Sequence, residues 1–337
     1  MSLKILSSPM LSAIEIELQH QVARLNEPYT LAFYHILTYH MGWSGEGAGT
    51  DAQGKRIRPL LVLLVTAACG ADWKLALPAA AAVELVHNFS LVHDDIQDDS
   101  NKRRGRDTVW AKWGMPQGIN AGDALFVLSN QAILDLTTYH SAATVIESIN
   151  ILTNTCLNLT RGQYLDMSFE QRADLKVEDY WPMARGKTAA LLSACCELGA
   201  LLSNVDEATQ KAYRDFGHYL GLAFQVKDDM LGIWGNSAFM GKSIQSDLVS
   251  GKKSLPVLFG LRANGLFAQR WAEGPLRPEE ISGMAGQLAA EGALLYTQET
   301  VDQMTDMALQ SLRTADPHGD AGEALFEIAN KLVSREA

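Results

Sequence analysis

The sequence predicts an all-α fold, and two observations carry that prediction. Alanine and leucine are abundant along the whole chain while only 10 of 337 residues are proline, so strong helix formers are seldom interrupted. Apolar residues make up 47% of the chain and recur in several stretches at the spacing that lines one face of a helix. No shift in composition divides the sequence, which therefore reads as one domain over residues 1–337.

In chain order, Leu11, Ile14, Ile16, Leu18, Val22 and Leu25 form the first apolar stripe. Asn26-Glu27-Pro28 breaks it and Leu31 to Met41 resumes it. Gly42 to Gly54 contains five glycines and predicts a loop. It opens into Gly54-Lys55-Arg56-Ile57-Arg58-Pro59 and an apolar helix. Three cations ahead of a helix start, whose free N–H groups also attract anions, make a phosphate site. The plainer alternative is surface charge at a helix start.

The stretch Glu84 to Asp99 organises the rest. Its first ten residues read as a helix running into a packed interior, yet it finishes with four carboxylates in Asp94-Asp95-Ile96-Gln97-Asp98-Asp99. On a helix Asp94 and Asp98 lie one turn apart, offset by about 40° and roughly 6 Å along the axis. Such a pair suits a hard divalent cation such as Mg²⁺, which is held by one or two carboxylates together with water and substrate phosphates. A solvated acidic helix end is the alternative. The basic run Lys102-Arg103-Arg104-Gly105-Arg106 argues against it, because carboxylates followed by arginines describe a diphosphate site.

Further along, Gly118 to Asp123 is expected to start a helix through Leu136, with Asn120 and Asp123 as caps. A helix near 142–170 carries Gln163, Asp166 and Glu170 as polar positions on an apolar face. Trp181 to Ala200 predicts another helix, with Lys187-Thr188 near its start. The second acidic cluster, Gln225-Val226-Lys227-Asp228-Asp229, closes the apolar run Tyr219 to Val226 and repeats the design of the first, so the two acid pairs are expected to act as opposed jaws. A loop from Gly235 to Gly251 follows, bearing Lys242 and Asp247, and then Lys252-Lys253-Ser254-Leu255-Pro256 leads into helices.

Composition excludes other classes. A net charge of −11 disfavours nucleic acid, which needs a basic footprint. The longest apolar run read from the sequence, Pro59 to Ala71, is too short to cross a membrane, so no transmembrane segment is expected. The 4 cysteines show no disulfide or metal-ligand spacing, which predicts reduced thiols and a cytoplasmic protein.

Taken together, these motifs resemble in order and spacing the trans-isoprenyl diphosphate synthases, or polyprenyl synthetases, across roughly residues 50–260. The resemblance implies an isoprenoid synthase helical bundle around a central cavity, a homodimer, and about three Mg²⁺ ions. It implies a prenyltransferase that condenses isopentenyl diphosphate with an allylic diphosphate. Asp94 and Asp98 resemble the residues that bind two of the metals, and Asp228 the ligand of the third. Arg103, Lys187, Thr188, Gln225, Lys242 and Lys252 resemble contacts to the allylic diphosphate, with Lys187 among the catalytic set. Lys55, Arg58, His87 and Arg104 resemble the isopentenyl diphosphate pocket.

Two features qualify the resemblance. The family's second motif normally carries another Asp at the position of Gly232. In the first motif, Phe89 and Ser90, five and four residues before Asp94, resemble the chain-length floor of short-motif geranylgeranyl diphosphate synthases. A farnesyl or longer-chain product is the alternative. A terpene cyclase would not need the second diphosphate pocket. A non-catalytic regulatory subunit, which Gly232 brings to mind, would be expected to have lost acids from the first motif as well.

Overall fold

The computed structural model describes residues 3–235 and 246–333. Helices dominate it, and the one sheet among the described residues is a two-stranded hairpin. The chain resolves into two compact units, each assembled from separate stretches: Met1–Asn154 with Ala194–Lys211 and Asp316–Leu325, and Thr155–Ser193 with Ala212–Ala315 and Phe326–Ala337.

The first unit contains α1 (Leu3–Val22), α2 (Leu31–His40), the short α3 (Thr50–Gln53), α4 (Ile57–Ala68), α5 (Leu77–Gln97), α6 (Val109–Trp113) and α7 (Met115–Leu134). It also holds the first half of α8 (Ala142–Phe169). Helix α5 packs against α1, α4 and α7. Its run Ala79–Ala82 is fully buried, since side chains this small let the neighbouring helices come close.

Together with the turn before it, α5 (Trp73–Gln97) is long and apolar enough to span a membrane by length and composition, although Glu84 interrupts it and leaves Pro59 to Ala71 the longer uncharged run. Its apolar window is 67% buried, as expected of a core helix. Pro78 in its first turn supplies a helical φ, and Asp99, at φ 49°, turns the chain out of the helix at the other end.

Helix α7 begins earlier than the sequence suggested. Gly114 at φ +87° and Pro116 in the first turn start it at Met115, so Asn120 and Asp123 lie inside the helix and cap nothing. Gly118 and Gly122, one turn apart, allow α7 to press on α5: a Cβ at Gly118 would meet Ile96 at 2.8 Å, and one at Gly122 would meet His93 at 2.1 Å.

The second unit contains the rest of α8, α9 (Val177–Ala184), part of α10 (Ala190–Leu202) and most of α11 (Glu207–Trp234). Its further helices are Ser246–Ser250, Leu255–Ala263, Leu266–Ala272, Ile281–Ala290 and Ala293–Thr314. Where the sequence suggested one helix from Trp181 to Ala200, a π-helical turn at Arg185–Ala189 separates α9 from α10. Helix α11 also continues to Trp234, so Asp228 and Asp229 sit within it and do not end it.

Glycine pairs set the spacing here too. A Cβ at Gly162 would lie 2.1 Å from the Lys187 amide nitrogen, and one at Gly186 would lie 2.7 Å from the Asn158 carbonyl oxygen, so α8 meets the π-turn backbone to backbone. Gly217 and Gly221 bring α11 equally close to Leu192 and Ala189.

Candidate active site

In the first unit the acidic motif occupies the last turn of α5. Asp94 is half-buried and Asp98, the C-cap, is exposed, its amide donating to the Asp94 carbonyl at 2.8 Å. Asp95 points elsewhere. It is 2% exposed and takes Arg103 in a fork, from Nε to Oδ1 at 2.9 Å and Oδ2 at 3.0 Å. Burial pushes the Asp95 carboxyl up and Arg103 opposes it. Arg103 is thus aimed by an acid that the sequence reading assigned no role.

A tight hairpin delivers the two arginines. Strands β1 (Lys102–Arg103) and β2 (Arg106–Asp107) pair in antiparallel register, leaving Arg104 and Gly105 as a two-residue turn with φ 51° and 76°. Arg104 then lies over Gly54, where a Cβ would meet its guanidinium at 2.6 Å, and donates to the Ala52 carbonyl at 2.8 Å. Arg106 does structural work: it binds the carbonyls of Tyr39, Ser44 and Glu46 and stacks on the Tyr39 ring, holding the glycine loop.

The Gly54–Pro59 segment divides in the same way. Lys55 is exposed, Arg58 approaches His87 Nε2 at 3.2 Å, and Arg56 is buried against Glu15 and Glu84. Burial, with Arg58, Arg104, Arg103 and Arg56 adding to it, holds the His87 imidazole well below its usual pKa and therefore neutral. His40, under burial and the charges of Arg103, Arg104 and Arg56, is lowered to about 3. The buried Nε of Arg58 has no hydrogen-bond partner among the described residues.

In the second unit, Lys187 on the π-turn is paired with Asp166, one turn beyond Gly162 on α8. The Thr188 hydroxyl meets Gln225 Oε1, and Gln225 Nε2 donates to Asp229 Oδ1 at 3.0 Å. Asp229 is 1% exposed, accepts from the Leu255 amide at 3.3 Å and lies 3.8 Å from Lys252. Burial raises its carboxyl to about 6, against the pull of Lys252. Lys252 itself is raised: burial would lower it, but Asp229, Asp247, Asp166 and Asp228 outweigh burial. Four acids and two lysines therefore gather in this unit around Gln225 and Thr188. Lys242 lies outside the described residues.

Phe89 is half-buried and edge-on to Phe126 of α7 at 5.2 Å and to His93 at 5.9 Å, and the Ser90 hydroxyl is turned back onto the His87 carbonyl at 2.8 Å. Phe126 is a partner that spacing on α5 alone could not reveal.

The donor chemistry fits magnesium. No group of three or more His, Cys, Asp or Glu side chains among the described residues could hold a metal by itself. Paired carboxylates beside phosphate-binding cations are what an ion needs when water and substrate oxygens complete its shell.

A family model, Polyprenyl synthetase, matches residues 48–273. The (2E,6E)-farnesyl diphosphate synthase of Mycobacterium tuberculosis is 43% identical over 90% of this chain and 86% of its own length. A geranylgeranyl diphosphate synthase of the same organism is 40% identical over 88% and 85%. The solved geranylgeranyl pyrophosphate synthetase of Pyrococcus horikoshii superposes with a TM-score of 0.90 at 29% identity, covering 99% of this chain and 98% of that one. With the helical fold in accord with these matches, the chain belongs to the polyprenyl synthetase family and is a prenyltransferase of the short-chain polyprenyl diphosphate synthase type.

Proposed function

We propose that the protein adds isopentenyl diphosphate head-to-tail to an allylic diphosphate and stops at geranylgeranyl diphosphate. The observation that supports this reading is in the first unit, where Arg58 keeps a buried Nε without a hydrogen-bond partner beside His87, which burial and the neighbouring arginines hold neutral. A buried guanidinium donor without a partner calls for an anion. A cyclase, which takes one diphosphate, has no use for it.

Asp94, Asp98 and Asp228 would hold magnesium, about three ions in all. When bound, magnesium supplies Lewis-acid charge to the departing pyrophosphate. Lys187, Lys252, Arg103, Thr188 and Gln225 would bind the allylic diphosphate, as the resemblance also implies for Lys242; the cations stabilise charge that develops on its oxygens and the two neutral side chains hydrogen-bond to it. Lys55, Arg58, His87 and Arg104 would bind the diphosphate of isopentenyl diphosphate. Phe89 and Phe126 close the hydrocarbon end.

Farnesyl diphosphate as end product is the second reading. It is favoured by the second ring, Phe126, behind Phe89. A homodimer is supported by the exposed apolar side chains Met115, Ile119, Phe126, Val127 and Leu134 on α7. A cytoplasmic setting accords with four free cysteines, three of them buried.

The test is incubation of the purified protein alone with isopentenyl diphosphate, farnesyl diphosphate and Mg²⁺, with pyrophosphate release and product mass as readouts. A twenty-carbon product supports the proposal. No release from this primer, nor from geranyl diphosphate, leaves only a non-catalytic subunit.

A further inference from the structure

We propose that Arg56 is the positioning residue of the isopentenyl diphosphate pocket, held in place by Glu15 of α1 and Glu84 of α5. This rests on the reading of Lys55, Arg58, His87 and Arg104 as that pocket.

The backbone supplies the first argument. Arg56 stands at φ 47°, ψ 36°, a left-handed conformation that a side chain of this size rarely adopts, and it is the residue from which α4 starts. Such a conformation persists only where the surroundings impose it. Here they do: Nε is 2.6 Å from Glu15 Oε1, one terminal nitrogen is 2.7 Å from Glu84 Oε1, and the other is 3.4 Å from the Met41 carbonyl oxygen. All these partners are acceptors, and Arg56 is 5% exposed. Its charge is spent inside the protein, so it presents the ligands and does not serve as one.

The register on α5 supplies the second argument. Glu84 and His87 are three residues apart, on one face of the helix. Arg56 is anchored to the first and Arg58 contacts the second. Asn88, one turn after Glu84, donates to its carboxylate at 3.1 Å and to its carbonyl oxygen at 2.8 Å, fixing the anchor. One turn of α5 therefore holds both Arg56 and Arg58, the residues that follow Lys55.

Glu15 adds a third tie. It accepts from Trp43 Nε1 at 2.8 Å as well as from Arg56, linking the glycine loop and α1 to the same turn. Glu15 also lies outside the segment, 48–273, matched by the family model. The pocket's geometry thus depends on a residue beyond that segment.

The experiment compares Glu15→Gln and Arg56→Lys with wild type, using calorimetric binding of isopentenyl diphosphate and full kinetics against both substrates. Glu15→Gln removes the charge and Arg56→Lys removes the fork. Both should weaken isopentenyl diphosphate binding about tenfold. KM for the allylic diphosphate should stay within twofold, and for Glu15→Gln so should kcat. Trp43→Phe, which keeps the core ring and loses one hydrogen bond to Glu15, should give a smaller rise of about threefold in the same constant and serves if the other variants do not fold. Folded variants with unchanged isopentenyl diphosphate binding, or with both substrates weakened alike, overturn the proposal. Arg58→Gln is the control on the underlying reading: if it leaves isopentenyl diphosphate binding intact, the pocket is wrongly placed, whatever Glu15 does.

Discussion

Asp247 places its carboxylate against the bare Cα of Gly232: a Cβ at position 232 would lie 2.7 Å from the Asp247 Cγ and 2.7 and 2.8 Å from its two oxygens. Gly232 stands one turn beyond Asp228 on α11, so the space left by the missing side chain is taken by an acid from another part of the chain. Gly232→Ala should push Asp247 aside. The expected result is roughly tenfold lower activity, with an increased Mg²⁺ requirement, and a stability loss of about 1–3 kcal/mol from overpacking. Activity titrated against Mg²⁺ checks it. An unchanged magnesium curve would mean that Asp247 has no part in the site.

Asp94→Ala removes a half-buried carboxylate from the last turn of α5. Turnover should fall by roughly three orders of magnitude while the unfolding temperature moves little. A variant within tenfold of wild type would count against the metal assignment.

The pair Phe89 and Phe126 should act together on product length. Phe89→Ala is expected to shift the product mass upward by at least one five-carbon unit, and Phe89→Ala with Phe126→Ala further still. Identical spectra for the wild type and both variants would remove these rings from the chain-length floor.

His40 predicts an acid-sensitive first unit. Its folded-state pKa of about 3 lies below the ordinary 6.5, so on acidification the unfolded chain takes the proton first. Stability is full above pH 6.5 and declines as the pH falls toward 3, with a slope of up to about 1.4 kcal/mol per pH unit. Between pH 6.5 and 4.5 the loss from this group is about 2–3 kcal/mol. His40→Asn should flatten that part of the curve, measured by denaturant unfolding at several pH values. A slope unaffected by the substitution would exonerate His40.

Much of this protein is written locally. Helix periodicity placed the break at Asn26 to Pro28 and the acidic end of α5, though not its start at Leu77, because the recurrence of apolar residues along one face needs no knowledge of distant partners. The paired acids and the basic stretches stood out for the same reason, their chemistry being carried by spacing along a few turns.

What the tertiary structure decided is which charges are already neutralised. Of the cations flanking the motifs, Arg56 is absorbed by Glu15 and Glu84, and Arg106 by three backbone carbonyls, while Arg103 is steered by Asp95 and Lys187 by Asp166. Glycines within helical stretches, at 162, 186, 217 and 221, are contact points between backbones. Pairing and close approach depend on groups far apart in sequence and brought together by burial, and no local pattern encodes them.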